Sequence, residues 1–453
     1  MNINMHNRSP RLWVLTGLTF VSALSASPMG WAQQAAQPSA PAPAQAEDAA
    51  TDSNKPQTAI PVGLSEPLGP PTDPFNDTRT LGYVIGGMRY VPDVNAAYFF
   101  ETNPLRSSPK GPSDTALATY ATITISDAAG GPRKLFAGAA QTQWNQVSIG
   151  KDPRMVVSFE DRFSLAGWRF PVRLNYNSDV VSRSSFLARK VNSEVTVTAK
   201  AGSIDAIRSF GLTKVALTAR ATDVAIGSVQ RVDGSSFTSS NSNFNTLFRF
   251  KVTQALSQTT ELYAQSQAED YSYSAAGSKD PLNPSSDVVT SLVGAQTQLS
   301  PMVGVSADIG SSNKRSGRAD LVPGAKHQVG SVKGSFDPSA STSAYGAYII
   351  GTAELNDTGV SNLMTKTLST GLSHKFTATL ATNLSYDRTH ISTNELNGSV
   401  VDSKFFSTLL WKPHKNVLAA IAFSRTQRQV SQLQDFVRPF VNDRFLVNLT
   451  YYL

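Results

Sequence analysis

The sequence contains no cysteine. Disulfide staples and thiolate metal sites are excluded, so stability must come from packing and backbone hydrogen bonds. Beyond the N-terminal 24 residues there is no run of 18 apolar side chains, which rules out a helical membrane span. If the chain lives in a membrane, only a closed β-barrel remains, because lipid offers unpaired backbone groups no partner. Lys and Arg never form a block, so no nucleic-acid surface is marked and no nucleic-acid partner is expected. Histidine is scarce: His6, His327, His374, His390 and His414 stand apart, with no H-x-x-x-H pair for a metal. There is no G-x-S-x-G elbow, G-x-G-x-x-G turn or P-loop, so neither cofactor nor catalytic residue is assigned. A Ser-His or Asp-His site built from distant strands leaves no trace in spacing, and an outer-membrane enzyme stays as the least favoured reading.

What is present begins with an address. Arg8 and Arg11 precede the apolar stretch Leu12 to Leu24, and small residues follow at Gly30 and Ala32. That order is a secretory signal peptide over residues 1–32, with an uncleaved N-terminal anchor as the alternative. Its removal takes away two Arg and no acid, so the formal charge of +7 falls to +5. Residues 33–79 hold the Pro/Ala-rich stretch "QPSAPAPAQAEDAATDSNKPQTAIPVGLSEPLGPPTDPF", with nine prolines and one aromatic residue, Phe75. Such a composition cannot bury enough apolar surface to offset chain entropy. It reads as a disordered periplasmic segment, or as a plug inside a barrel.

From about residue 80 to 453 the texture is alternation. Trp168, Phe170, Val172, Leu174 and Tyr176 share one strand face, opposite Arg169, Arg173, Asn175 and Asn177. Phe244, Phe248, Phe250 and Val252 oppose Asn245, Arg249, Lys251 and Thr253. In "TATLATNLSYD", Leu380, Leu384 and Tyr386 oppose Asn383, Ser385 and Asp387. In "SEVTVTAK", Val195, Val197 and Ala199 form the apolar side and Glu194, Thr196, Thr198 and Lys200 the polar one. Each half-apolar strand of about ten residues has the length a tilted strand needs to cross a bilayer.

Connectors alternate as well. Short ones fall near residues 211, 257, 300, 339, 376 and 414, and long polar ones such as "QRVDGSSFTSSNS" and "SAAGSKDPLNPSSD" lie between them. Two strands per turn-to-turn period argue against a propeller, which needs four. The expectation is an all-β, transmembrane, antiparallel up-and-down barrel with short periplasmic turns and long external loops. It counts about 18 strands, with 16 as the alternative: one near 91–101, eight pairs between about 114 and 428, and one at 443–453. The chain ends "DRFLVNLTYYL", placing Phe445, Val447, Leu449, Tyr451 and Leu453 on one face. A closing strand that faces lipid explains that ending, whereas the last strand of a soluble sandwich is the competing account. The same five residues resemble the C-terminal signal read by the outer-membrane barrel assembly machinery, with Leu453 standing where an aromatic residue is usual.

"VPDVNAAYFFETNPLRSS" resembles the first strand of the β-barrel porin type 2 family, where a proline opens an aromatic strand ending in acid-x-Asn-x-x-Arg, here Glu101, Asn103 and Arg106. The strand ends "LNYNSDVVSRSS", "LSYDRTHIS" and "AFSRTQRQV" are similar to that family's aromatic-then-charged exits. The resemblance covers roughly residues 80–453. It implies an outer-membrane barrel of a Gram-negative bacterium, often associated with capsule or exopolysaccharide export, and brings no catalytic residues.

On the polar faces, Arg169, Arg173, Lys200, Arg220, Arg249 and Lys251 are expected to face the lumen, beside Glu194, Glu261 and Glu269. Inward charges can simply be solvated or pair with one another. Read functionally, their basic excess favours anionic solutes in a water-filled pore. Tyr263, with Gln265 and Gln267, could offer a sugar a stacking face and hydrogen bonds. The leading expectation is a porin-like passive conduit in surface-polysaccharide export or envelope biogenesis. The expected partners are outer-membrane lipid, the assembly machinery, and components of polysaccharide or other envelope export. The alternative is a structural or adhesive barrel with a blocked lumen.

Overall fold

The computed structural model describes residues 81–103, 113–145, 154–181, 195–226, 228–230, 236–238, 243–273, 285–316, 324–353, 363–393, 398–432 and 439–453. The expected signal peptide, the Pro/Ala-rich segment, Glu194 and Arg106 lie outside them. The described residues form strands joined by turns, with no helix. In chain order the strands are β1 Tyr83–Ile85, β2 Met88–Glu101, β3 Asp114–Asp127, β4 Lys134–Trp144, β5 Arg154–Leu165, β6 Trp168–Val181 and β7 Val195–Phe210. Then come β8 Thr213–Ile226, β9 Ser228–Gln230, β10 Ser236–Thr238, β11 Asn243–Ala255, β12 Thr260–Tyr273, β13 Ser286–Ser300 and β14 Val303–Ser316. The remaining strands are β15 Ala325–Ser339, β16 Thr342–Ala353, β17 Leu363–Lys375, β18 Leu380–Thr393, β19 Ser399–His414, β20 Val417–Ser431 and β21 Phe440–Tyr452.

Each strand from β2 to β8 and from β11 to β21 pairs antiparallel with its chain neighbours, and β8 pairs with β11. The ring closes because β2 also pairs with β21, from Asp93 against Tyr452 to Glu101 against Arg444. Eighteen strands therefore form a barrel without an edge. The count of 18 holds and 16 does not. The short turns fall where the sequence places them, including the two-residue link between Phe210 and Thr213 and the four-residue link between Ala255 and Thr260. Between Leu165 and Trp168 the link is Ala166-Gly167, with φ of 51° and 80°. Positive φ at both central residues matches the right-handed twist of a hairpin. We name this rim the turn end and the opposite rim the loop end.

Partners across a ladder share a face, so register and exposure together orient each strand. Val94, Tyr98, Leu174, Phe248, Val293, Ile309, Ile421 and Phe445 are exposed on the outer wall. Ala97, Phe99, Gln265, Thr290 and Leu418 are buried on the inner side. Among the described residues, outward charges occur only toward the ends. Lys200, Asp223, Lys366, Arg388 and Arg425 lie toward the loop end, while Asp161 and Arg208 lie toward the turn end. The band between them is uncharged, as a lipid-facing wall requires. At its lower margin the Arg208 guanidinium lies 4.8 Å from the Phe210 ring centroid and 5.8 Å from that of Trp168. An aromatic girdle with a snorkelling cation is what a membrane interface favours.

The closing seam carries side-chain bonds in addition to its ladder. Asn95 and Asn448 exchange amide hydrogen bonds of 2.7 and 2.9 Å, and Asn95 also donates to Thr450 Oγ1 at 2.6 Å. Toward the loop end, Glu101 accepts from Asn442 at 2.9 Å and from the Arg444 guanidinium. Asn442 Oδ1 in turn accepts from the Asn103 backbone N–H at 3.0 Å. All of these side chains are buried or nearly so. Phe445, Val447, Leu449, Tyr451 and Leu453 point outward, between 46% and 57% exposed. Leu453 N–H donates to Pro92 O at 3.0 Å. Below that point the edge of β2 would be bare, and β1 covers it, pairing Tyr83 with Tyr90 and Ile85 with Met88.

Candidate functional site

A lumen of this strand number is wide enough for an aqueous channel, so its inner wall is the candidate site. Arg169, Arg173, Arg220, Arg249, Lys251, Glu261, Tyr263 and Glu269 all project inward, on strands β6, β8, β11 and β12. Lys200 does not. It pairs with Tyr176 on β6 and Asp223 on β8, both on the outer face, and is itself exposed. The expectation for Lys200 is therefore corrected: it lies on the membrane side. The polar and apolar sides of β7 exchange along its length, because only Ile204, Ala206 and Phe210, lower down, face the apolar band.

Six inward cations, Arg169, Arg173, Arg220, Arg249, Lys251 and Lys333, gather on strands β6 to β15, while Lys404 on β19, Arg428 on β20 and Arg444 on β21 also point inward. Arg173 Nε sits 3.5 Å from Glu160 Oε1, forming a half-exposed pair. Arg220 Nε donates to Thr222 Oγ1 at 3.1 Å. Arg249 donates to Thr218 Oγ1 through Nη2 at 3.2 Å, and Thr218 donates to Asp205. Lys251 and, on β15, Lys333 extend the row. Half-way round the ring β20 presents Ala420 and Ala422, flanked on β2 and β3 by Ala97 and Ala118. A basic stretch of wall thus faces a patch of small alanines across the lumen.

Three inward acids near this row are engaged. Glu261 accepts from Gln296 Nε2 at 2.7 Å, and Glu269 accepts from Gln267 at 2.8 Å and Tyr271 at 2.7 Å. Asp308 accepts from Tyr263 OH at 2.9 Å and Ser331 Oγ at 2.8 Å. With their oxygens bonded by hydroxyls and amides, these carboxylates hold their neighbours in place.

Tyr263 differs from its expected role. Its ring leans across Gly294, where a Cβ would collide with it, and the Lys251 ammonium stands 4.3 Å from the ring centroid on its face. At 6% exposure it is a wall element, and the stacking face expected for a sugar is covered. Gln265 beside it is 1% exposed, and among the described residues neither amide atom has a hydrogen-bond partner. Tyr345 on β16 repeats the arrangement over Gly371 on β17. In both cases a missing side chain lets a ring lie along the wall.

Two buried ion pairs at the loop end leave no mark in the sequence. Arg428 binds Asp402 through Nε at 2.8 Å and Nη2 at 3.2 Å, a bidentate pair, and its guanidinium lies 5.2 Å from the Phe440 ring centroid. Arg444 binds Glu101 beside Phe99. Glu101 stands in the acid-x-Asn stretch, but its partner lies more than three hundred residues away. Among the described residues no group of three or more His, Asp or Glu side chains could hold a metal ion.

Comparison with known proteins gives one family and several solved structures of low similarity. The family described as "Putative beta-barrel porin 2" matches residues 73–438. No curated protein matches. Among solved structures, the siderophore receptor PirA from Pseudomonas aeruginosa is similar over 80% of each chain, with TM-score 0.39 and 7% identity. The ferric-catecholate import receptor Fiu from E. coli K12 is similar over 82% of each chain, with TM-score 0.42 and 8% identity. The outer membrane protein opdK from Pseudomonas aeruginosa is similar over 80% of this chain and 98% of its own, with TM-score 0.43 and 10% identity.

Proposed function

Because the chain belongs to the Putative beta-barrel porin 2 family, we propose that it is a passive conduit across the outer membrane that favours anionic solutes. Its setting is surface-polysaccharide export or a related step of envelope biogenesis. The observation that carries this reading is the inner basic row of Arg173, Arg220, Arg249, Lys251 and Lys333, across the lumen from the alanines of β2, β3 and β20. Fixed charge on a low-dielectric wall raises the local concentration of the opposite ion. The short turns face the periplasm and the loops face outward, as in other bacterial barrels. The exposed alternation ending at Leu453 supports recognition by the barrel assembly machinery.

The test is the reversal potential across a planar bilayer under a salt gradient. Anion preference is expected, and it should fall when Arg173, Arg249 and Lys251 become Gln. It should also shrink toward 1 M salt, where the screening length is about 3 Å. Folded protein without conductance would overturn the conduit and favour a surface barrel acting through its loops. A cation preference would overturn the assignment of the basic wall.

A further inference from the structure

On the outer wall Lys366 of β17 and Arg388 and His390 of β18 form one cluster. Lys366 pairs directly with His390, and Arg388 pairs with Leu368, one step nearer the turn end on the same face. Leu368 and Leu372 are exposed, which fixes this face as the outward one. The three groups thus stand within one cross-strand step or its diagonal, about 5–8 Å apart at Cβ. No acid accompanies them: on the outer faces of β15 to β20 the described residues include no Asp or Glu. Two other outward cations stand against acids. Arg425 lies 3.7 Å from Asp443, and Lys200 stands opposite Asp223.

The height of the cluster defines what it meets. Lys366 lies nine residues above the end of β17 at Lys375. A strand rises about 3.3 Å per residue, and at a tilt of about 40° nine residues climb about 23 Å. An apolar band of about 25 Å therefore ends at the cluster. Below it the same faces carry Leu372, Leu384 and Tyr386, and above it the strands run out into polar loops. A cation at this depth is costly against hydrocarbon and favourable against a phosphate at the headgroup level.

We propose that Lys366, Arg388 and His390 form a binding site for the phosphorylated headgroup of an acylated lipid in the outer leaflet, whose chains lie on the leucines beneath. The guanidinium supplies a fork of donors matched to phosphate oxygens, and the ammonium adds a second positive charge across the strand pair. The site is separate from the lumen and does not depend on conduction. It requires only that the barrel sits in the membrane with its loops outward.

The test uses full-length folded protein in detergent micelles, titrated with diphosphoryl lipid A, with lipid A stripped of phosphate, and with inorganic phosphate. Bound lipid is read by native mass spectrometry. Each cation near an anionic headgroup adds about 1 kcal/mol, or about fivefold. Lys366→Gln with Arg388→Gln should therefore weaken diphosphoryl lipid A binding about thirtyfold, and His390→Gln should add less. Lys200→Gln, on the other side of the barrel, should leave it unchanged. Equal binding of the dephosphorylated lipid would overturn the proposal. So would an equal loss in Lys200→Gln, displacement of the lipid by millimolar inorganic phosphate, or a cluster-dependent dimer in place of bound lipid.

Discussion

Replacing Glu101 with Leu should destabilise the barrel far more than replacing Glu101 and Arg444 together. Glu101 is 2% exposed, and the Arg444 side chain is 12% exposed. Removing the carboxylate leaves the guanidinium in a site that water barely reaches, and breaking such a pair from one side costs about 3–5 kcal/mol. It also strands the Asn442 amide donor, which adds about 1–3 kcal/mol. In Glu101→Leu/Arg444→Met no charge is left unpaired, and well-packed apolar replacements of a buried pair are often neutral. The double variant should then lose only the Asn442 contribution, about 1–3 kcal/mol. Urea unfolding in short-chain lipid vesicles, followed by the gel mobility of folded and unfolded forms, reads both. Additive behaviour, with the double variant worse than Glu101→Leu, would refute the idea that the cost arises from an orphaned charge. A single variant with the wild-type midpoint would show that the pair is not closed in the membrane.

Two further outcomes test the wall. Deleting Tyr451 to Leu453 should prevent insertion, since unpaired backbone groups cost several kcal/mol each in lipid; deleting residues 40–70 should leave a barrel whose gel mobility still changes on boiling. Normal outer-membrane levels of the truncated protein would contradict the role of the closing strand. Gly371→Ala should push the Tyr345 ring off the wall into the lumen, costing about 1–3 kcal/mol and lowering single-channel conductance. If midpoint and conductance both match the wild type, the ring does not rest on that glycine.

Most of the wall was legible because lipid imposes a rule on every second residue. Where a strand crosses the apolar band, as at Trp168 to Leu174 or Phe244 to Phe250, the greasy parity announces the outer face, and inward Arg173, Arg249 and Lys251 follow from it. The rule lapses above the band. Val195, Val197 and Ala199 stand near the loop end of β7, where no lipid selects the outward parity, so alternation alone places Lys200 on the wrong side. Side-chain pairing was hidden for another reason. Glu101 with Arg444 and Asn95 with Asn448 meet only once the ring is closed. Tyr263 offers a polar aromatic at an inward position, but only the fold brings Gly294 beneath it and Lys251 above it.

The seam also has a consequence for biogenesis. Every other ladder of the wall joins strands adjacent in the ring's chain order, whereas β2 must find β21, 353 residues away in the sequence at the pair of Asn95 and Asn448. Until Asn442, Arg444, Asn448 and Thr450 arrive, Glu101 and Asn95 keep unmet bonding capacity beside an open edge. A prematurely terminated chain can therefore hold many correct hairpins and still be unable to close. The strand that opens the ring acts as a checksum on the one that closes it, so incomplete products stay open, accessible to proteases, and outside the population of finished barrels.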